Sequence, residues 1–546
     1  MFISNKGGFN LKIKWFFILF FAVFLLAACS SEKNHDMSGM NHEKMNEEEP
    51  SSKDTSSKQT NLIKTTKTKT LKGNEFTIVA KEATHKINGK TKVTAWTFNG
   101  SVPGSEIRVK EGEKVTIHFK NELPAPVSIH WHGIPVPNEM DGIPGVTQNA
   151  VKPGETFTYE FIASVPGTYM YHSHQDGVNQ IDKGLYGAFI VEPKEKTYDK
   201  DYALVLDEWM SNPVATDSNG MMDNKDGMDH NMGDMHHEDK ETEEMPGGHG
   251  SGMTMAHDMS MYDTFTINGK SGDAVAPIQV KKGERVRLRF INIGYLSHKI
   301  HLHGHTFQVV AVDGQELSAP KEIKDQLVSI APGERYDIEF VANNPGQWYL
   351  ECHGDLEGTP GMKALIQYDG VEKGNDKPND QQNLPNFDFV NYGKNKLGEF
   401  TLHQKYDVEY TMDLNTQMMG NGMVFTINGK TFPDTDNINV KTGDLVKVRL
   451  VNNSHKDGHP MHLHGHFFQV LSKNGKPISG SPIVKDTINL KPGEEYVVAF
   501  KADNPGNWLF HCHDLHHATA GMVNMVKYDG YKTKFKVDPN TENKPE

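Results

Sequence analysis

Residues 510–522 read FHCHDLHHATAGM, placing one of only three cysteines in the 546-residue chain between two histidines. Paired histidines recur in SIHWHG (128–133), YHSH (171–174) and HPMHLHGH (459–466). In an extended strand, residues two apart share a face, so each His-x-His projects two imidazoles together while the middle residue points away. His511 and His513 therefore face one centre and Cys512 another, a covalent link between two sites. Candidate co-ligands for Cys512 are His459 on a matching strand, His517 five residues on, and Met522 ten residues on. Two histidines, a thiolate and a weak axial methionine suit a one-electron blue-copper site. A structural disulfide or zinc site is the rival reading of the cysteine.

The remaining pairs supply His130, His132, His172 and His174 from one part of the chain, and His462, His464, His511 and His513 from another. Eight imidazoles exceed the needs of one copper and suit a cluster of three at a domain interface. A single pair reads equally well as satisfied core histidines, but four pairs at equivalent positions do not.

The elements that carry these residues are repeated. IRVKEGEKVTIHFKNEL (107–123), IQVKKGERVRLRFINIG (278–294) and INVKTGDLVKVRLVNNS (438–454) are versions of one segment, alternating strands joined at a Lys-x-Gly turn. VKPGETFTYEFIASVPGTYMYHSH, IAPGERYDIEFVANNPGQWYLECHG and LKPGEEYVVAFKADNPGNWLFHCHD follow, ending at 174, 354 and 514. Pro-Gly turns and alternating strands recur in each, and no long helical pattern intervenes. The expected architecture is all-β: three tandem Greek-key sandwich or barrel domains over 73–196, 197–372 and 373–534, with a tail at 535–546.

On HWHG, YHSH, HPMHLHGH and HCHDLHHATAGM, and on the three repeats across 73–534, the chain resembles the multicopper oxidases, the family of laccases and bacterial copper-resistance oxidases. The resemblance implies three cupredoxin-like domains and four copper ions. It places type 1 copper on His459, Cys512, His517 and Met522, and type 2 copper on His130 and His462. The type 3 pair takes His132, His172, His174, His464, His511 and His513. The implied enzyme is an oxidoreductase that takes electrons singly at Cys512, passes them to His511 and His513, and reduces dioxygen to water. Asp141, in NEMDGIPG, matches an acid that family members keep near the cluster and is the candidate proton supplier. An ordinary Asp-Gly turn is the alternative.

The copies depart from one another. The first has Val127, Ser173 and Val178 at the type 1 positions and holds no blue copper. The middle copy keeps His298, Cys352 and Met362, together with His301, His303 and His353, but has Glu357 and Glu351 where His517 and His511 stand in the third. These residues read as relics of duplication or as an altered fourth mononuclear site. Ala518 stands where several relatives carry an acid.

The chain holds 25 Met and 28 His. Between Met221 and Met261, inside a middle-copy insertion at about 211–262, lie ten Met, five His and ten acids against two Lys, with no periodicity. A loop without regular structure is expected there, and thioethers suit cuprous ion. Lys6, Lys12 and Lys14 precede an apolar run from Trp15 to Ala28 that ends LLAAC, the pattern of a lipoprotein signal over 1–28 with Cys29 lipidated. Residues 29–72 read as a flexible tether carrying His35, Met37, Met40, His42 and Met45. Removing 1–28 takes the formal charge from −14 to −17, which argues against nucleic-acid partners. The expectation is an extracytoplasmic, membrane-anchored oxidase whose partners are dioxygen and Cu(I) or a small reducing substrate. A laccase-like phenol oxidase, a manganese or iron oxidase and a copper-sequestering lipoprotein are the rivals.

Overall fold

The computed structural model describes residues 62–211, 261–354, 356, 359–371, 383–420 and 422–545, within one compact unit from Asn61 to Glu546. Cys29, the His35–Met45 cluster, nearly all of the Met/His insertion and Glu357 lie outside the described residues. No helix among the described residues is long and apolar enough to cross a membrane.

Each repeat folds as its alternation dictates. In Leu445–Asn452, every second residue (Val446, Val448, Leu450 and Asn452) is buried. The turn before it needs a left-handed residue: Gly112, Gly283 and Gly443 have φ of 85°, 93° and 97°, a region glycine enters without steric cost. Strands close in sequence are divided between two sheets per repeat, as in Greek-key folds. Residues 70–192 form a four-stranded and a five-stranded sheet. Residues 200–368 form a six- and a five-stranded sheet, and residues 408–528 a seven- and a five-stranded one. In the first copy Phe98, Phe119 and Tyr159 of one sheet pack against Trp131, Tyr171 and Phe189 of the other, giving a sandwich core. The α-helices among the described residues are two short ones, Gly177–Asp182 and Leu515–Thr519.

The five-stranded sheets carry the histidines. His130–His132 pairs with Gly167–His172, His298–Leu302 with Gln347–Cys352, and His459–Leu463 with Asn507–Cys512. Register is the same in all three: His130 faces His172, His301 faces Glu351, and His462 faces His511. Side-chain period in a strand is two, so this shared register puts the equivalent residues of every copy on the same face.

One end differs from its compositional reading, and the other is tied down. Thr70–Lys72, within the expected tether, is an edge strand parallel to Glu106–Lys110. The tail is tied to the first copy: Asp176 N–H donates to the Lys544 carbonyl at 2.9 Å, Gln175 Nε2 to the Glu542 carbonyl at 2.6 Å, and Lys152 pairs with Asp538 at 2.7 Å. The first segment is held by strand pairing with Leu71 packed on the core, and the tail by backbone and side-chain polar contacts.

Candidate metal centres

The first site surrounds Cys512. Its Sγ lies 3.5 Å from Nδ1 of His517 and 3.9 Å from Nδ1 of His459, and those two nitrogens are 3.2 Å apart. Met522 is fully buried and closes the loop, its carbonyl accepting the Cys512 N–H at 3.0 Å and its N–H donating to the His517 carbonyl at 3.0 Å. Ser454 Oγ, 2.8 Å from His459 Nε2, and Phe425, stacked on His517 at 3.9 Å, set the ring orientations. His516 packs instead against Tyr295 at 4.7 Å. Burial first, then nearby Asp514, pushes the Cys512 thiol well up. The His459 imidazole is held well below its ordinary value by burial and by His517. A thiol that does not ionise by itself, beside the depressed His459 imidazole, is a donor set that only a cation converts to its charged form, with release of a proton.

On the opposite face of the same strand eight histidines converge from the first and third copies, all of them buried. Three groups bring donor atoms within metal-sharing range: His130, His132 and His462; His132, His172 and His513; and His174, His464 and His511. His132 stacks on His462 with centroids 3.7 Å apart, and His130 on His464 at 4.0 Å. Four rings share one device. Nδ1 of His130 lies 2.9 Å from the Asp141 carbonyl, that of His172 2.9 Å from the Ser173 carbonyl, that of His462 3.1 Å from the Asp486 carbonyl, and that of His511 2.9 Å from the Cys512 carbonyl. A carbonyl only accepts, so Nδ1 carries the proton and Nε2 is left as a bare lone pair. Nε2 of His130, His172 and His462 has no hydrogen-bond partner at all. Orphaned, buried, inward lone pairs are what a metal cluster satisfies.

Carboxylates pin this ring from both sides. Asp141 Oδ2 accepts from Nδ1 of His464 at 3.0 Å, and its Oδ1 lies 3.2 Å from Nδ1 of His130. The Asp-Gly turn is present as well and is what delivers the carboxylate: Gly142 has φ +81°, and a Cβ there would fall 1.9 Å from the Ile129 carbonyl oxygen. On the other side Asp486 Oδ1 lies 3.2 Å from His132 Nε2 and 3.4 Å from His462 Nδ1. Asp486 takes both arms of Arg335 at 2.6 and 2.5 Å, and Arg335 Nε donates to the Thr168 carbonyl at 3.2 Å. All three copies thus meet under the cluster, since Thr168 belongs to the first, Arg335 to the middle and Asp486 to the third.

Profiles of the multicopper oxidase family match residues 79–196, and 249–369 and 401–530. The chain belongs to the multicopper oxidases. It is 32% identical to multicopper oxidase MmcO of Mycobacterium tuberculosis over 461 residues, covering 80% of this chain and 83% of that one. It is 26% identical to a copper resistance protein A homolog of Pseudomonas syringae, covering 84% and 93%. Laccase-1 of Botryotinia fuckeliana is 28% identical, with 82% and 81% covered. The fold is shared with the laccase of Botrytis aclada, at TM-score 0.64, 23% identity, and 86% and 90% coverage. It is shared also with a multicopper oxidase from Campylobacter jejuni, at TM-score 0.61, 23% identity, and 86% and 98% coverage. This multicopper oxidase is therefore an oxidoreductase of three cupredoxin-like domains that binds copper.

In this oxidase the first copy's Val127 and Ser173 are buried, Ser173 Oγ donating to Gln180 Oε1 at 2.6 Å, so that copy has no thiol site. In the middle copy Cys352 Sγ is 3.9 Å from His298 Nδ1, while His298 Nε2 is held 3.1 Å from Glu208 Oε2. Ala518 packs with Ile143, Leu509 and Val523, so apolar contact fills the place of the missing acid. Asp486, Arg335 and Thr487, whose Oγ1 lies 3.1 Å from His462 Nδ1, escaped the sequence reading because they are single residues on strands or, for Asp486, at the bend between two. A Lys-Asp pair recurring ahead of a Pro-Gly turn, at 324–325 and 485–486, was the available signal for Asp486.

Electrostatics make the copper-free oxidase acid-sensitive. Burial, with repulsion from neighbouring rings, holds His132, His172, His174, His464 and His513 well below the ordinary histidine value, and His511 at about 3. Below about pH 6.5 the unfolded chain binds protons that these folded imidazoles refuse. The folded state therefore loses about 1.4 kcal/mol per such histidine for each pH unit of acidification until its own pKa is reached. Calorimetry of the copper-free protein should show the melting midpoint falling steeply from about pH 7 to pH 5. A flat profile there would mean the rings are not buried neutral.

Proposed function

We propose that this multicopper oxidase oxidises Cu(I) to Cu(II) with dioxygen as acceptor and serves copper tolerance. In this reading His459, Cys512, His517 and Met522 hold one copper, His130 and His462 a second, and the other six cluster histidines a coupled pair. The carrying observation is the run His511–Cys512–His513 at the end of the strand Asn507–Cys512, whose middle residue enters one donor set while its neighbours enter the other. Copper bound at these sites supplies one-electron redox steps and the reduction of dioxygen by four electrons and four protons to two waters. The two peptide links from Cys512 to His511 and His513 provide a covalent path between the donor sets. Neutral imidazoles with their Nδ1 protons pinned to carbonyls present preset lone pairs and lose little ordering entropy on loading. Asp141, between Nδ1 of His130 and Nδ1 of His464, is positioned to hold or pass a proton beside the cluster. With Ala518 apolar, the proton route through that position in some relatives has no counterpart here.

The substrate assignment rests on the insertion. Ten methionines in a polar stretch have no burial to gain there, and soft thioethers capture cuprous ion. The copper resistance protein A homolog, by its name, supports the same reading, and the laccases support the phenol-oxidising alternative. Deleting residues 213–260 should lower Cu(I)-driven oxygen uptake about tenfold, equivalent to roughly 1.4 kcal/mol of lost capture, while oxidation of bulky phenols is unchanged or faster. If cuprous oxidation is unaffected and phenols are oxidised no faster, the substrate assignment is wrong. We also infer from LLAAC that Cys29 is lipidated and anchors the enzyme outside the cytoplasm. Release of Cys29→Ala protein from the membrane fraction is the expected readout, and retention would count against the anchor.

A further inference from the structure

The middle copy holds a metal-donor cluster that the oxidase chemistry of the other two does not use. His301, His303 and His353 bring ring nitrogens within metal-sharing range, and Glu351 joins them. His303 Nε2 lies 3.1 Å from His301 Nδ1, 3.4 Å from His353 Nε2 and 2.8 Å from Glu351 Oε1. Glu351 Oε1 is also 3.7 Å from His353 Nε2.

Hydrogen bonding within the group does not account for this arrangement. Three acceptor-capable atoms crowd one imidazole nitrogen, and a single N–H at that nitrogen satisfies just one of them. If His303 donates to Glu351, the His301 and His353 nitrogens face it lone pair to N–H bond without a proton to share. The His301 proton then sits on Nε2, which is buried with no hydrogen-bond partner, 3.8 Å from Asp325 Oδ1. One cation at the centre resolves every contact. Four ligands about 2.0–2.1 Å from a tetrahedral metal are separated by about 3.3 Å, and four of the six pairwise separations here, 2.8, 3.1, 3.4 and 3.7 Å, bracket that value. Binding through Nδ1 of His301 would leave Nε2–H directed at Asp325, the carboxylate–histidine–metal relay that orients many ligating histidines.

Register explains how the cluster arose. His301 faces Glu351 as His462 faces His511, so the carboxylate stands where the third copy has a ligand histidine. Lys363 Nζ holds the other oxygen of Glu351 at 3.2 Å, which leaves Oε1 aimed at the histidines. Side chains of His353 and Glu351 remain 25% and 19% exposed, against complete burial in the oxygen-reducing cluster, so an ion enters from solvent. We propose that His301, His303, His353 and Glu351 form a mononuclear site for one borderline divalent cation, Cu(II) in preference to Zn(II), separate from the copper centres of the oxidase. Three neutral imidazoles and one carboxylate leave a net single positive charge on a divalent ion, and the imidazole set favours late first-row metals in the order that puts Cu(II) above Zn(II).

Equilibrium dialysis against Zn(II) of full-length protein loaded with four copper equivalents, enough for the oxidase centres alone, tests the site, with zinc counted per chain. Wild type should hold one zinc more than His301→Gln/His353→Gln, and because both carry the 212–260 segment, its metal cancels in the difference. Glu351→Gln, which preserves shape, should weaken that zinc by about 10- to 100-fold. Unchanged blue absorption from the Cys512 centre serves as the folding control, and if the double variant loses it, Glu351→Gln decides the question. The same dialysis with Cu(II) should give tighter retention than Zn(II). Equal zinc in wild type and both variants would overturn the proposal.

Discussion

Cys512→Ser is expected to abolish the blue absorption and to cut oxygen uptake with any reductant by well over a hundredfold, while the eight-histidine cluster stays assembled. The expectation follows from geometry. Cys512 alone contributes to the site of His459 and His517 while standing between two cluster histidines in the chain. Serine matches its shape but is a hard oxygen donor with a far higher pKa, so neither the soft thiolate bond nor the electronic path survives. The loss must exceed the tenfold to hundredfold that removing a mere outer partner of a ligand costs. Single-turnover oxygen reduction by chemically reduced protein, compared with steady-state turnover, separates the two donor sets. If steady-state uptake in Cys512→Ser stays within tenfold of wild type, the path through the cysteine is wrong.

Arg335→Met is expected to destabilise the fold by about 3–5 kcal/mol, the range for removing one partner of a buried ion pair. Arg335 and Asp486 are both fully buried. Burial by itself would raise the Asp486 carboxyl, and the Arg335 guanidinium more than offsets this, holding it well below the usual carboxylate range. Without that partner the carboxyl is an uncompensated buried charge or takes up a proton, and in either case it no longer braces His132 and His462. Cluster copper should then bind more weakly while the Cys512 centre stays blue. Asp486→Asn with Arg335→Met, which removes both charges, should recover part of the stability. A melting midpoint within a degree of wild type for Arg335→Met would show that the pair carries no such load.

Much of this was legible in the chain because the repeats are written in full. His-x-His at strand spacing states that two imidazoles share a face, and Cys512 between two such residues states that two centres share a strand. Of the two adjacent histidines, spacing from Cys512 favours His517 as the candidate donor, and the structure places His517 beside the sulfur and His516 against Tyr295. Local sequence thus determined the all-β class, the three copies and the donor residues, since strand period and turn chemistry act over a few residues at a time.

Tertiary structure decided what surrounds those donors. Asp486 and Arg335 lie 151 positions apart in the chain and meet only because three sandwiches close on one another. A local repeat can mark such a residue, but no local pattern names its partner, which is set by how domains dock. Glu351 makes the same point: in sequence it is a lost histidine, and in space it is a carboxylate returned to a histidine cluster. The tail's attachment to the first copy is likewise invisible in its polar composition, because its carbonyls and Asp538 find their partners hundreds of positions away in the chain. Short-range stereochemistry chose the donor residues, and long-range packing chose their protonation, their bracing and the company that the middle copy keeps.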